Sequence, residues 1–142
     1  WICYIILAFV LLGDVILSLH GIMYIINSFI FMICALTIAF LIGNIMNSET
    51  AINGIVNVVA LGSSFLCGAF VPMQWLPEYV LALAHILPSY WFMKTNELLK
   101  TLEVFNLDSM KPIIINMIVV LLFSLAFVVI TNIITKKKRK IN

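Results

Sequence analysis

The stretch Gly68-Ala-Phe-Val-Pro-Met-Gln-Trp-Leu-Pro-Glu78, followed by Leu87-Pro-Ser-Tyr-Trp91, lies between two long apolar runs and decides how the chain is organised. Pro72 lacks a backbone donor and biases Val71 away from helical geometry, so a helix arriving from the N-terminal side must end there. Pro77 suits the first turn of a new helix, and Glu78 beside it complements the positive end of that helix's dipole. This short helix runs to Leu87, where Pro88 stops it, with Val80, Leu83, Ala84 and Leu87 as its apolar face. Ser89 then reads as the N-cap of a second helix reaching about Phe105, with Trp91, Leu98, Leu102 and Phe105 along one side. Trp75, Tyr79, Tyr90 and Trp91 are the amphipathic aromatics expected at headgroup level. Residues 72–107 thus read as two short helices lying in, or dipping into, a membrane interface. Asp108-Ser109 caps the run that follows.

Outward from this segment, composition fixes the class. The 142 residues are 64% hydrophobic and 10% charged, with mean hydropathy +1.20. An ordinary soluble domain is only about 45–50% apolar. A bilayer crossing needs roughly 20 apolar residues at about 1.5 Å each. Four runs qualify, at about 1–19, 22–46, 52–71 and 112–135, with only Leu19-His20-Gly21 joining the first two in a tight antiparallel hairpin. The expected fold is all-α and polytopic: one transmembrane domain over 1–142, with four spans, two short external helices and a basic tail at 136–142. The first run is no signal peptide, since it lacks a basic start and carries Asp14. It begins inside an apolar stretch without an initiator Met, so the chain reads as the C-terminal part of a longer protein.

Net charge is only +2, but five of the eight basic residues form Lys136-Lys-Lys-Arg-Lys140, directly after the last span. A basic cluster abutting a span is a cytoplasmic anchor far more often than a nucleic-acid tail, so no nucleic-acid partner is expected. Counting back places 107–111 outside, 47–51 inside, 20–21 outside and Trp1 inside. The inner loop Asn47-Ser-Glu-Thr-Ala51 has no basic residue of its own.

Small residues recur every four positions in two runs, as Ala35, Ala39 and Gly43 and as Ala60, Ser64 and Gly68. Rows of this kind let helix backbones approach closely in lipid. Asn53 and Asn57 extend the second row, and Asn116, Ser124 and Thr131 form a sparser polar row in the last span. Polar side chains in a bilayer face other helices or a water-filled path, so Asn53, Asn57 and Ser64 are candidates for either. Asp14 is the single acid inside a span, within reach of His20, and is a further candidate for a pathway.

Several chemistries are not indicated. No G-x-x-x-x-G-K-[ST] phosphate loop occurs, so the chain has no ATP site of that kind. His85, Ser89 and Asp108 are the residue types of a hydrolase triad, but no nucleophile elbow accompanies them, and no catalytic residue is expected. Two histidines without nearby carboxylate pairs make a poor metal site, and Cys3, Cys34 and Cys67 are too far apart in sequence for a CxxC motif. No cofactor is expected.

In its order of elements the chain resembles the C-terminal half of type-2 ABC exporter permeases. The resemblance rests on Gly68-Ala-Phe70, Pro72, Leu76-Pro77, the amphipathic helix after it, Pro88-Ser-Tyr90-Trp91, and the final span with its basic tail. It implies a permease subunit of an ATP-driven exporter in the plasma membrane, with a cytoplasmic C-terminus. A separate ATP-binding cassette ATPase and a second permease copy would be its partners. Gly68, Pro72, Pro77 and Pro88 would set the geometry of an external gate, and Asn53, Asn57, Ser64 and Asp14 would line the path. The near absence of intramembrane charge points to an amphipathic or hydrophobic cargo, such as a drug, lipid or peptide. The competing reading is a non-transporting scaffold or immunity-type protein that binds a partner through its spans. A secondary transporter is disfavoured, because no paired intramembrane charges occur.

Overall fold

The computed structural model describes residues 1–141, with side chains through Arg139, so the end of the 136–142 tail lies outside the described residues. Six helices follow one another: α1 (Ile2–Leu12), α2 (Leu19–Ile45), α3 (Glu49–Leu66), α4 (Glu78–Ala84), α5 (Pro88–Lys100) and α6 (Leu107–Ile141). Short 3-10 turns occupy Gly13–Leu17 and Met73–Trp75. No strand occurs among the described residues, and α2, α3 and α6 are long and apolar enough to cross a membrane.

The first run differs from the expected continuous span 1–19. Helix α1 has 11 residues, about 16 Å of axis, half the hydrocarbon thickness. Gly13 breaks it at φ 56°, a left-handed conformation that favours glycine. Ser18 then caps α2, its hydroxyl accepting from the Gly21 amide at 3.2 Å. The reversal therefore comes before Leu19, because a glycine and a cap outweigh an unbroken apolar composition. The turn folds back so closely that a Cβ on Gly21 would overlap the Ile16 carbonyl. Trp1 Nε1 donates to Ser28 Oγ at 3.1 Å, which lays α1 antiparallel along the first half of α2.

The core forms between α2, α5 and α6. Helices α2 and α6 run parallel: Met23 and Tyr24 pack at Ile113 and Met117, Cys34 meets Ser124, and Thr135 Oγ1 donates to Asn44 Oδ1 at 3.1 Å. Asn116, Ser124 and Thr131 are buried along the inner face of α6. The Ser124 and Thr131 hydroxyls donate to carbonyls one turn back in their own helix, while the Asn116 Nδ2 has no partner among the described residues.

The two small-residue rows behave differently from expectation. Ala35, Ala39, Gly43 and Ala60 are exposed, and a Cβ on Gly43 would meet no atom within 4 Å. Helix α3 has no buried residue at all. Within this chain the rows flank an open groove, because the side chains of α2 that close onto a neighbour are the larger ones facing α5 and α6.

Candidate functional site

Helix α5 is positioned by a ladder of hydrogen bonds from one face of α2. His20 Nε2 donates to the Leu102 carbonyl at 2.7 Å, and Tyr24 Oη donates to the Asn96 carbonyl at 3.1 Å. Asn27 Nδ2 donates to the Phe92 carbonyl at 3.1 Å and to Asn96 Oδ1 at 2.9 Å. One turn on, the Phe31 and Phe92 rings stack at 4.4 Å. Positions 20, 24, 27 and 31 fall on one helical stripe, so α2 grips α5 along most of its length, with the two helices antiparallel. Thr95 and Leu99 are fully buried on the gripped side.

This ladder fixes the depth of α5. From His20 to Phe31 is about 16 Å of helix axis at ~1.5 Å per residue. Phe92 stacks at the Phe31 level and Pro88 lies one turn further along, so α5 starts beside the middle of α2, a helix long enough to span. Non-helical backbone at such depth is tolerated where protein or a water-filled cavity surrounds it. The Gly68–Leu87 connection meets this in part through a cluster of Cys67, Ala84 and Tyr90, with Leu66, Met73, Leu81 and Leu87 packed around it.

Three of the four expected geometry-setting residues lie in this connection, and Pro88 opens α5. Gly68 takes φ 87°, with its Cβ position already filled by the Met73 side chain. The chain therefore turns at Gly68, before Val71-Pro72, since only glycine meets both demands. The amides of Ala69 and Phe70 bond back to the Ser64 carbonyl at 3.1 and 3.4 Å, closing the end of α3. Pro72 precedes the 3-10 turn, Pro77 is the N-cap of α4, and Pro88 is buried as the first residue of α5.

Several local expectations are corrected here. Helix α4 stops at Ala84 rather than Leu87. Leu87, not Ser89, is the N-cap of α5, because proline is well suited to the first helical position. Leu81 and Ala84 turn inward while Leu83 is exposed. Tyr90, expected at headgroup level, is 6% exposed. The start of α6 is capped by Asn106, whose Oδ1 accepts from the Ser109 amide at 2.7 Å.

Beneath the start of α5 lies a cavity of about 410 Å³. Phe31, Ala35 and Ala39 of α2, Val56, Ala60 and Ser64 of α3, and Ser89 and Phe92 of α5 line it. Its volume falls within the range of small-molecule sites, roughly 300–1,000 Å³. Of the expected lining residues, Ser64 is in this wall, with its hydroxyl donating to the Ala60 carbonyl at 2.8 Å. Asn53 and Asn57 are exposed on α3 outside it. Asp14 is exposed on the turn between α1 and α2, and its expected partner His20 is engaged with Leu102 and, at 4.6 Å, with the Phe105 ring. Tyr24, Asn27, Thr95 and Asn96 were not singled out by sequence reasoning. The His20, Tyr24 and Asn27 spacing on an apolar helix is the signal that could have found them.

The family described as ABC-2 type transporter matches residues 1–96, from α1 into α5, about two thirds of the chain. The chain belongs to the ABC-2 type transporter family. It is a permease component of an ABC-type transporter rather than its ATPase, built as a membrane protein with several spanning helices. No curated protein and no solved structure matches it.

Proposed function

We propose that this ABC-2 permease is the membrane subunit of an ATP-driven exporter, that α5 gates its route, and that the cavity beneath α5 takes an amphipathic or hydrophobic cargo. The observation that carries this reading is the depth of α5. A helix that starts near mid-bilayer and roofs a drug-sized cavity is placed to open or block a path. Its grip on α2 combines the Phe31–Phe92 stack with interhelical hydrogen bonds, each worth only about 0.6 kcal/mol on average in a membrane protein. The turn at Gly68 and the prolines at 72, 77 and 88 set the direction in which α4 and α5 can swing. An ATP-binding cassette subunit supplies the energy, and a second permease copy completes the route. The protein belongs in the plasma membrane with its basic tail in the cytoplasm, and Asn53, Asn57 and Asp14 would reach the route only in that assembly.

A paired-cysteine experiment tests the gate. Asn27→Cys and Asn96→Cys are introduced into the full-length permease after its native cysteines are removed, and it is reconstituted with its ATPase. Oxidative cross-linking should abolish transport, and reduction should restore it. Transport at the uncross-linked rate with the bridge formed would remove α5 from the gating role. Transport without any nucleotide-binding partner would overturn the exporter reading itself.

A further inference from the structure

In the sequence the basic run after the last span reads as one charge cluster, but the structure divides it. Helix α6 continues unbroken through it to Ile141, so successive side chains point about 100° apart. Lys138 faces α2. Its ammonium donates to the Asn44 carbonyl at 2.6 Å, in the last turn of α2, and lies 3.4 Å from Asn47 Oδ1 in the following connection. A cation there satisfies a carbonyl that has no helical partner and meets the negative end of the α2 dipole. Thr135, one turn earlier, reaches Asn44 Oδ1 at 3.1 Å, so α6 holds the end of α2 at two levels. Lys138 also brings positive charge to the Met46–Ser48 connection, which has none of its own.

Lys137 and Arg139 flank Lys138 at about 100° on either side, and Lys136 lies nearly opposite it. All three are exposed, as is Lys138, but only Lys138 is engaged by hydrogen bonds to the end of α2, and no acidic side chain pairs with the other three among the described residues. Thr135 is level with Asn44, just before α2 ends, so these three cations emerge where the hydrocarbon gives way to headgroups. We propose that Lys136, Lys137 and Arg139 form a binding surface for anionic phospholipid headgroups, while Lys138 is a structural clamp on α2 that contributes little to lipid choice. Charge complementarity selects the occupant. The cations follow the span without a break, so the first anions within reach are those of the leaflet that α6 has just left. Each basic side chain near an anionic surface is worth about 1 kcal/mol, about a fivefold change in relative occupancy.

The test uses the full-length permease in nanodiscs of phosphatidylcholine with 20% (about one lipid in five, a level chosen to leave contacts unsaturated) phosphatidylglycerol. Contact of each lipid is read with spin-labelled analogues. Neutralising Lys136, Lys137 and Arg139 together with Gln should lower phosphatidylglycerol preference at least about tenfold. Lys138→Gln should leave that preference within about twofold while accelerating thiol labelling of a cysteine placed at Asn47. Equal loss of lipid preference in Lys138→Gln would overturn the division of roles. An unchanged preference in the triple variant, with weakened co-purification of the ATPase, would assign the surface to a protein partner instead. If the triple variant fails to insert, the unaltered protein still decides the matter. Near 1 M salt the screening length falls to about 3 Å, and its phosphatidylglycerol preference should largely vanish. A preference indifferent to salt would sink the proposal.

Discussion

Asn27 is the strongest single test of how α5 is held. It is 1% exposed, its Nδ2 makes two bonds to α5, and no donor meets its Oδ1. Asn27→Leu removes both bonds, about 1.2 kcal/mol at the membrane average of ~0.6 each. It also removes the unsatisfied oxygen, which returns part of that loss. The net cost should stay near 1 kcal/mol, raising the detached population of α5 about fivefold. Asn27→Asp is far worse despite its shape. A carboxylate, like Leu, cannot donate to the Phe92 carbonyl or Asn96 Oδ1, and it also sets a buried, unpaired negative charge against both oxygens, which costs more than a lost hydrogen bond. About 3 kcal/mol, or more than a hundredfold, is expected at neutral pH. The effect should shrink as pH falls and a protonated carboxyl regains one donor. Thr95 supplies the reporter, because it is fully buried on the gripped face of α5. In a background without Cys3, Cys34 and Cys67, Thr95→Cys should react with a thiol reagent in proportion to the detached population. Labelling in Asn27→Asp within twofold of the parent would refute the ladder as the seat of α5.

Gly68→Ala should lower thermal stability by about 1–2 kcal/mol from the left-handed backbone alone, more once Met73 is displaced, with Gly68→Asn milder; a melting temperature equal to the parent's would contradict the turn. Gly21→Ala should spread the α1–α2 hairpin, seen as loss of a cysteine cross-link between positions 1 and 28, whereas Gly43→Ala should be silent in the isolated permease. A Gly43→Ala variant that is stable alone but fails to assemble with its partner copy would show that the open groove is filled in the complex. Replacing Pro72 and Pro77 with Ala should leave expression intact and impair transport, since an interior proline costs a helix about 3 kcal/mol and its removal frees the connector to become helical; transport at the parent rate would reduce this segment to a passive linker.

Much of the fold was legible because it follows from solvent. In lipid every backbone group must be satisfied within the segment, so long apolar runs become helices whatever their neighbours do. That physics marked the runs that hold α2, α3 and α6, whose ends in the structure differ from the apolar runs by one to six residues, and proline and glycine chemistry marked the break after α3. The family resemblance rested on the same punctuation. Local competition blurred the ends: Gly13 and Ser18 shortened α1, Pro88 displaced Ser89 as the start of α5, and Asn106 displaced Asp108 as the cap of α6.

What only the tertiary structure decided is which faces meet. Small residues every four positions announce a surface that another helix could approach closely, yet nothing in their spacing says whether that helix lies in this chain. Ala35 and Ala39 turned out to border a groove, and Gly43 faces open space. The face of α2 that grips α5 carries His20, Tyr24 and Asn27 and bonds largely to backbone carbonyls, which every residue possesses and no sequence pattern advertises. The depth of α5, and with it the cavity, rests on those contacts between residues 65 to 82 positions apart. Periodicity reports which residues can share a face; the partner of that face is fixed only when the whole bundle closes.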